Sequence, residues 1–151
     1  MTAPPYGVAM TDEEIAAFLE RQGHGVLSFG GETPYGLPIS FGYDVIDNRC
    51  IFQFVSGDAS KKQAYIDSSS AVALVSYDWG SVDDWHSVVI DGHLTEIPDD
   101  SPEAVDAADI FAESATAVGL SVFEGSFDDL EPSWYTLQIE EMSGRRAPDL
   151  E

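Results

Sequence analysis

Apolar and polar positions follow two periods along the chain. From Thr11 the period is helical, with Ile15, Phe18 and Leu19 on one stripe. Thr11 and Glu14 form a capping box, Asp12, Glu13 and Glu14 suit the positive helix end, and Gly23 is placed to stop the helix near Gln22. From His24 the period shortens to that of strands. Residues 25–30, 37–43 (running on toward Ile46) and 50–55 read as three strands of an antiparallel meander, joined by the turn-rich segments ETPYG and Asp47-Asn48. A loop and a short helix over about 59–67 follow. Two long strands come next, at 71–79 and 85–97. Ser101-Pro102-Glu103 opens a further helix carrying Val105, Ala108 and Phe111 and ending around Gly119. A sixth strand, 134–142, places Tyr135, Leu137 and Ile139 on one face. Six strands and short helices predict a mostly β fold, a small six-stranded antiparallel barrel, because three successive strands argue against βαβ units. One domain spans 1–151, with loose tails at 1–10 and 143–151.

Charge alters the picture of the surroundings, not of the fold. There are 28 Asp plus Glu against six Lys plus Arg, a formal net charge of −22, yet 44% of residues are hydrophobic. Enough apolar matter is present to bury a core, so this is no disordered acidic tail. The acids are scattered through every segment, whereas a nucleic-acid mimic would gather them on one surface. Adaptation to high salt, which screens self-repulsion, is the better reading. No basic stripe serves nucleic acid or an anionic membrane, and no apolar run approaches the ~20 residues needed to span one. MTAPPYGVAM lacks the features of a secretory signal, which places the protein in the cytoplasm. Cys50 stands alone, and His24, His86 and His93 lack metal-ligand spacing, so no metal is expected. Ser28, Ser40 and Ser76 lack a nucleophile elbow. His86, beside Ser87, can be pictured as a proton donor, although a strand-end histidine is the commoner role.

A chain that has shed lysine elsewhere keeps two side by side, Lys61 and Lys62, after Ser60 and at an expected helix start. Free N–H groups of a helix N-terminus and flanking ammonium groups favour a phosphate. The bland alternative is a pair solvated or bound to Asp58 and Asp67. Of the four arginines, Arg145 and Arg146 trail the last strand, where they can meet an anion, an interface or only solvent.

Ser60-Lys61-Lys62, then Tyr77-Asp78-Trp79, then Ser87-Val88-Val89-Ile90-Asp91-Gly92 succeed one another over roughly 24–97, and SGRR closes the last strand. In this order they resemble the FMN-binding split-barrel family related to pyridoxamine 5′-phosphate oxidase, in an acidic member of the haloarchaeal type. The resemblance implies a homodimer with FMN held at the subunit interface and touched by both chains. It implies that Ser60, Lys61 and Lys62 hold the phosphate and that Ser87 stands where the family has a flavin-contacting Gln. Ile39, Ser40 and Phe41, with Gln53, Phe54 and Val55, would flank the ring and ribityl chain. The implied activity is a flavin-dependent oxidoreductase acting on a small organic molecule. A flavin store or sensor without turnover, or a related barrel holding a deazaflavin or haem, are the alternatives. PISFGYD carries none of the oxidase's basic residues, so oxidation of pyridoxamine phosphate itself is not implied.

Overall fold

The first helix forms where its caps are written. In the computed structural model, which describes residues 7–30, 35–56, 71–98, 101–114 and 131–148, α1 spans Asp12–Gln22. The Thr11 hydroxyl accepts from the Glu14 amide at 3.2 Å, and Glu14 Oε1 accepts from the Thr11 amide at 3.0 Å. Gly23 ends the helix at φ 65°, the left-handed region that glycine enters without a Cβ clash. Ile15, Phe18 and Leu19 are buried, so the helix closes one side of the core.

The strands are β1 (Val8–Ala9), β2 (His24–Phe29), β3 (Tyr35–Ser40), β4 (Gly42–Asp44), β5 (Arg49–Ser56), β6 (Ala71–Ser81), β7 (Asp84–Ile97) and β8 (Glu131–Arg146). They hydrogen-bond in the order β3-β2-β6-β7-β8-β5-β4, every pair antiparallel, with β1 added to β8. The two ends of that order, β3 and β4, are consecutive in the chain and separated by Phe41 alone. One bent segment therefore supplies both edges, and the sheet curls round a single interior. This is the split barrel. All six expected strands are present; the second is divided at Phe41 and ends at Asp44, and Val8–Ala9 adds a short one. The Phe41 amide donates to the Gly23 carbonyl at 3.0 Å, which pins the bend to the end of α1.

The interior is filled by Leu27, Phe29, Phe41, Phe52, Leu74, Ile90 and Leu137, with Phe41 and Phe52 edge to face at 6.4 Å. Cys50 is fully buried among them, and burial pushes its thiol far above the ordinary range. A second helix, α2 (Pro102–Ser114), lies outside the barrel on β4 and β5. The Ala104 amide donates to the Ser101 hydroxyl at 3.2 Å, the N-cap that the sequence predicts. Its buried face differs from the expected one. Ala104 and Ala107 face Ile51 and Ile97, whereas Val105 is 63% exposed. Phe111, expected on the buried stripe, does pack in the same cluster, edge to face with Trp134, and Gly42 lets the helix come close, since a Cβ there would lie 2.7 Å from the Phe111 Cα.

The expected loose tails are a second correction. Val8 and Ala9 pair with Arg146 and Arg145, Met10 is buried, and β8 runs beyond 142 to Arg146 because β7 offers it a partner along that whole length. The expected helix over 59–67 lies outside the described residues, as does the end expected near Gly119. No helix of the described residues is long and apolar enough to cross a membrane.

Candidate functional site

Alternation along β2, β6, β7 and β8 divides their side chains between the core and one outward face. Leu27, Leu74, Val88 and Ile90 point inward. Outward, cross-strand partners line up in rows: Pro38–Val26–Val75–Val89–Ser143, and beside it Tyr77–Ser87–Arg145–Ala9. Trp79 and Trp85, also opposite one another, continue the same face. None of these eleven residues is acidic, on a chain with 28 acids. Tyr77 and Trp79 are 60% and 65% exposed. Acids return at the next row down, with Asp91 opposite Glu141, and at the other end in the β6–β7 turn, with Asp83 and Asp84. The face is thus apolar and aromatic, with one cation.

A cavity of about 480 Å³ opens on this face, lined by Trp85, Ser87, Val89, Ser143, Arg145 and Ala9. Ser87 and Arg145 face each other directly across β7 and β8, and Ala9 flanks Arg145 on the far side. Backbone contacts fix the floor. The Met10 amide donates to the Gly144 carbonyl at 2.9 Å, and a Cβ on Gly144 would meet Met10 Sδ at 2.8 Å. A Cβ on Gly7 would lie 2.7 Å from the Trp85 ring, so glycine is what lets the amino-terminal strand close on that indole.

The two trailing arginines part company here. Arg146 turns inward: its Nε lies 2.7 Å from Glu14 Oε2 and its Nη1 donates to the Ala147 carbonyl at 3.1 Å. Arg145 is exposed on the cavity side, and its Nη1 has the Gly7 carbonyl at 3.4 Å.

Among the described residues, Ser87 is the one expected at a cofactor that the structure sets in this cavity. Ile39 and Phe41 lie in the core. Ser40 is buried and faces His24 on the other flank of the sheet, three strand spacings or about 14 Å from Ser87. Gln53, on β5, is paired with Trp134 of β8. Phe54 and Val55 are in the same strand, opposite Ser133 and Pro132, but their side chains, like Ser60, Lys61 and Lys62 altogether, lie outside the described residues. His86 does not share the Ser87 face. Its Nδ1 is 2.9 Å from Asp78 Oδ1, and its ring stacks on Phe18 at 5.6 Å, because neighbours in a strand point to opposite sides. Sequence reasoning missed Trp85 and Ala9. Alternation from Ser87 would have found Trp85; Ala9 needed the pairing of β1.

Comparison with known proteins gives the fold a context. A protein-family model described as pyridoxamine 5′-phosphate oxidase matches residues 11–146. Among solved structures, a FAD-binding protein from Mesorhizobium loti is similar at TM-score 0.73 and 21% identity, over 93% of this chain and 98% of that one. The FAD-binding protein of Mycobacterium smegmatis is similar at TM-score 0.65 and 14% identity, over 95% and 100%. A FAD- and haem-binding protein of the same organism is similar at TM-score 0.65 and 16% identity, over 93% and 75%. Among curated proteins, none matches.

Proposed function

The chain belongs to the pyridoxamine 5′-phosphate oxidase family, and on that premise we propose that it is a flavoprotein, an FMN-dependent oxidoreductase acting on a small organic molecule. The observation that carries this reading is the cavity over Ser87: apolar walls at Trp85 and Val89, polar groups at Ser87 and Arg145, and no carboxylate in its lining among the described residues. That donor set suits a flat, anionic cofactor on a chain that would otherwise repel one. Similar folds that bind FAD support a flavin of some kind. FMN, the smaller flavin, is the choice that the Ser60-Lys61-Lys62 segment favours.

A bound flavin supplies the electron-accepting chemistry, so the protein needs no nucleophile of its own. What the chain contributes is placement. Trp85 and Val89 would wall a bound ring and keep water from it, the Ser87 hydroxyl would offer it a donor and an acceptor, and Lys61 and Lys62 would hold the phosphate. The cavity is open on its outer side, and a second copy of the chain, seated on the acid-free face, would close it.

The test is the absorption spectrum of protein purified in molar potassium chloride. Two near-ultraviolet and visible bands, with a released chromophore that fluoresces and is the size of FMN, are expected. Protein that stays colourless and takes up no added flavin would sink the reading. A bound flavin that no electron donor reduces would instead favour a store or sensor.

A further inference from the structure

We infer that Arg145 is the anion-recognising residue of the cavity over Ser87, reading a carboxylate or phosphate on the molecule bound there. The inference rests on the proposed flavin site and adds a specificity determinant to it. The chain has four arginines. Three are committed within the fold: Arg21 to Asp78 at 3.5 Å, Arg49 to Asp44 and Glu103 at 3.0 and 2.9 Å, and Arg146 to Glu14 at 2.7 Å. Arg145 has no carboxylate within ion-pair distance among the described residues. Its one described contact is the long 3.4 Å approach to the Gly7 carbonyl.

Its place is built and not left to a tail. Ser87 lies directly opposite on β7 and Ala9 directly opposite on β1, so the backbone at 145 is held on both sides. Trp85, two residues before Ser87, shares its face and walls the same cavity. A guanidinium presents a planar fork of donors that suits the two oxygens of a carboxylate or phosphate. Elsewhere a surface carrying a net charge of −22 turns anions away. Here an indole, a hydroxyl and an unspent guanidinium meet with no carboxylate between them. The ligand class that fits is an aromatic or heteroaromatic anion, its ring against Trp85 and its charge on Arg145. The anion can be the flavin's own phosphate or an acidic group of the co-substrate.

The experiment follows tryptophan fluorescence of the full chain at one fixed salt concentration, titrated with two matched pairs: FMN against riboflavin, and benzoate against benzyl alcohol. The parent should favour the anion of at least one pair by about tenfold, as a charge-assisted contact implies. Arg145→Gln should cut the anion preference about tenfold, over and above what Lys61 and Lys62 contribute to the FMN pair, and Arg145→Lys should keep part of it. Loss confined to the FMN pair identifies the flavin phosphate; loss confined to the benzoate pair identifies a co-substrate anion. The inference is overturned if the parent shows no anion preference in either pair, or if Arg145→Gln leaves the preference intact. Should neither flavin bind, the flavin reading fails by itself and the benzoate pair still decides the role of Arg145. Circular dichroism of both variants guards against a folding defect, since an exposed arginine contributes little to stability.

Discussion

Arg146 reaches from the last strand to the first helix, its Nε 2.7 Å from Oε2 of Glu14. The same carboxylate accepts from the Thr11 amide through Oε1. One side chain thus caps α1 and ties it to β8. The Thr11 hydrogen bond, and then Arg146, hold the Glu14 carboxyl below its ordinary value of 4.5. A group with a depressed folded pKa stabilises the fold above its unfolded pKa, and that contribution is lost as pH falls through the folded value. Glu14→Gln keeps the capping geometry and removes the charge. Its melting temperature should fall short of the parent's at neutral pH, and the gap should close as pH drops below about 4.5. A gap that stays constant down to pH 3, at fixed salt, would assign no role to the charge.

Gly42 sits under α2, where an added Cβ would come within 2.7 Å of the Phe111 Cα and 2.8 Å of the Ile110 carbonyl oxygen. Both neighbours are backbone and cannot rotate away. Gly42→Ala should destabilise by about 2 kcal/mol, as overpacking does, with a fall of roughly 4–8 °C in Tm. Gly30→Ala, which meets nothing within 4 Å, is the control and should leave Tm nearly unchanged.

How much of this was legible beforehand differs from element to element. α1 was readable to the residue, because Thr11, Glu14 and Gly23 are local signals that act within one turn. The long strands were readable because alternation is also local. The break at Phe41 was not: residues 39–43 are apolar or small throughout, and what bends them is a hydrogen bond to Gly23 on another element. The face of α2 was misjudged for a related reason: Ala104 and Ala107 are turned inward by their packing with Ile51 and Ile97 on other elements, which the helical period alone does not encode. The candidate site was half legible. Ser87 was marked in the sequence, but the separate fates of Arg145 and Arg146 depend on the pairing of β1 with β8, which no local pattern encodes.

A net charge of −22 is expected to make the fold depend on screening. Each acid repels its neighbours over a Debye length that shrinks from ~10 Å at 0.1 M salt to ~3 Å at 1 M. Tm should therefore climb steadily from dilute buffer to molar potassium chloride. A flat or falling curve would show that the acidity serves something other than salt.

Lys61 and Lys62, the only lysines of the chain, are expected to hold the FMN phosphate. Replacing either by Gln should weaken FMN binding about tenfold and leave riboflavin binding nearly unchanged, as loss of a charge-assisted contact predicts. Isothermal titration at constant salt reads both. Equal effects on the two ligands would move the anchor elsewhere.

The last prediction concerns assembly. Two copies of so acidic a chain repel one another, and the repulsion is weakest where neither presents a carboxylate. The row Pro38–Val26–Val75–Val89–Ser143 is such a place, with Tyr77 and Trp79 beside it. A two-fold axis through that face would set each copy's aromatic side chains against the other's cavity, so that both chains complete each site. Val89 is 39% exposed near the centre of the face. Val89→Asp places a charge there, and two such charges would oppose each other across the axis without partners. Light scattering in molar salt should report a dimer for the parent at micromolar concentration and a monomer for Val89→Asp. Flavin affinity should fall as well, because the cavity loses its outer wall and because Val89 itself lines it. Ile46 provides the contrast: it is more exposed, at 89%, but stands in the turn after β4, away from this face. Ile46→Asp should leave the dimer intact. If Val89→Asp remains a dimer, or the parent is a monomer that binds flavin tightly, the acid-free face has another use and one chain suffices for the site.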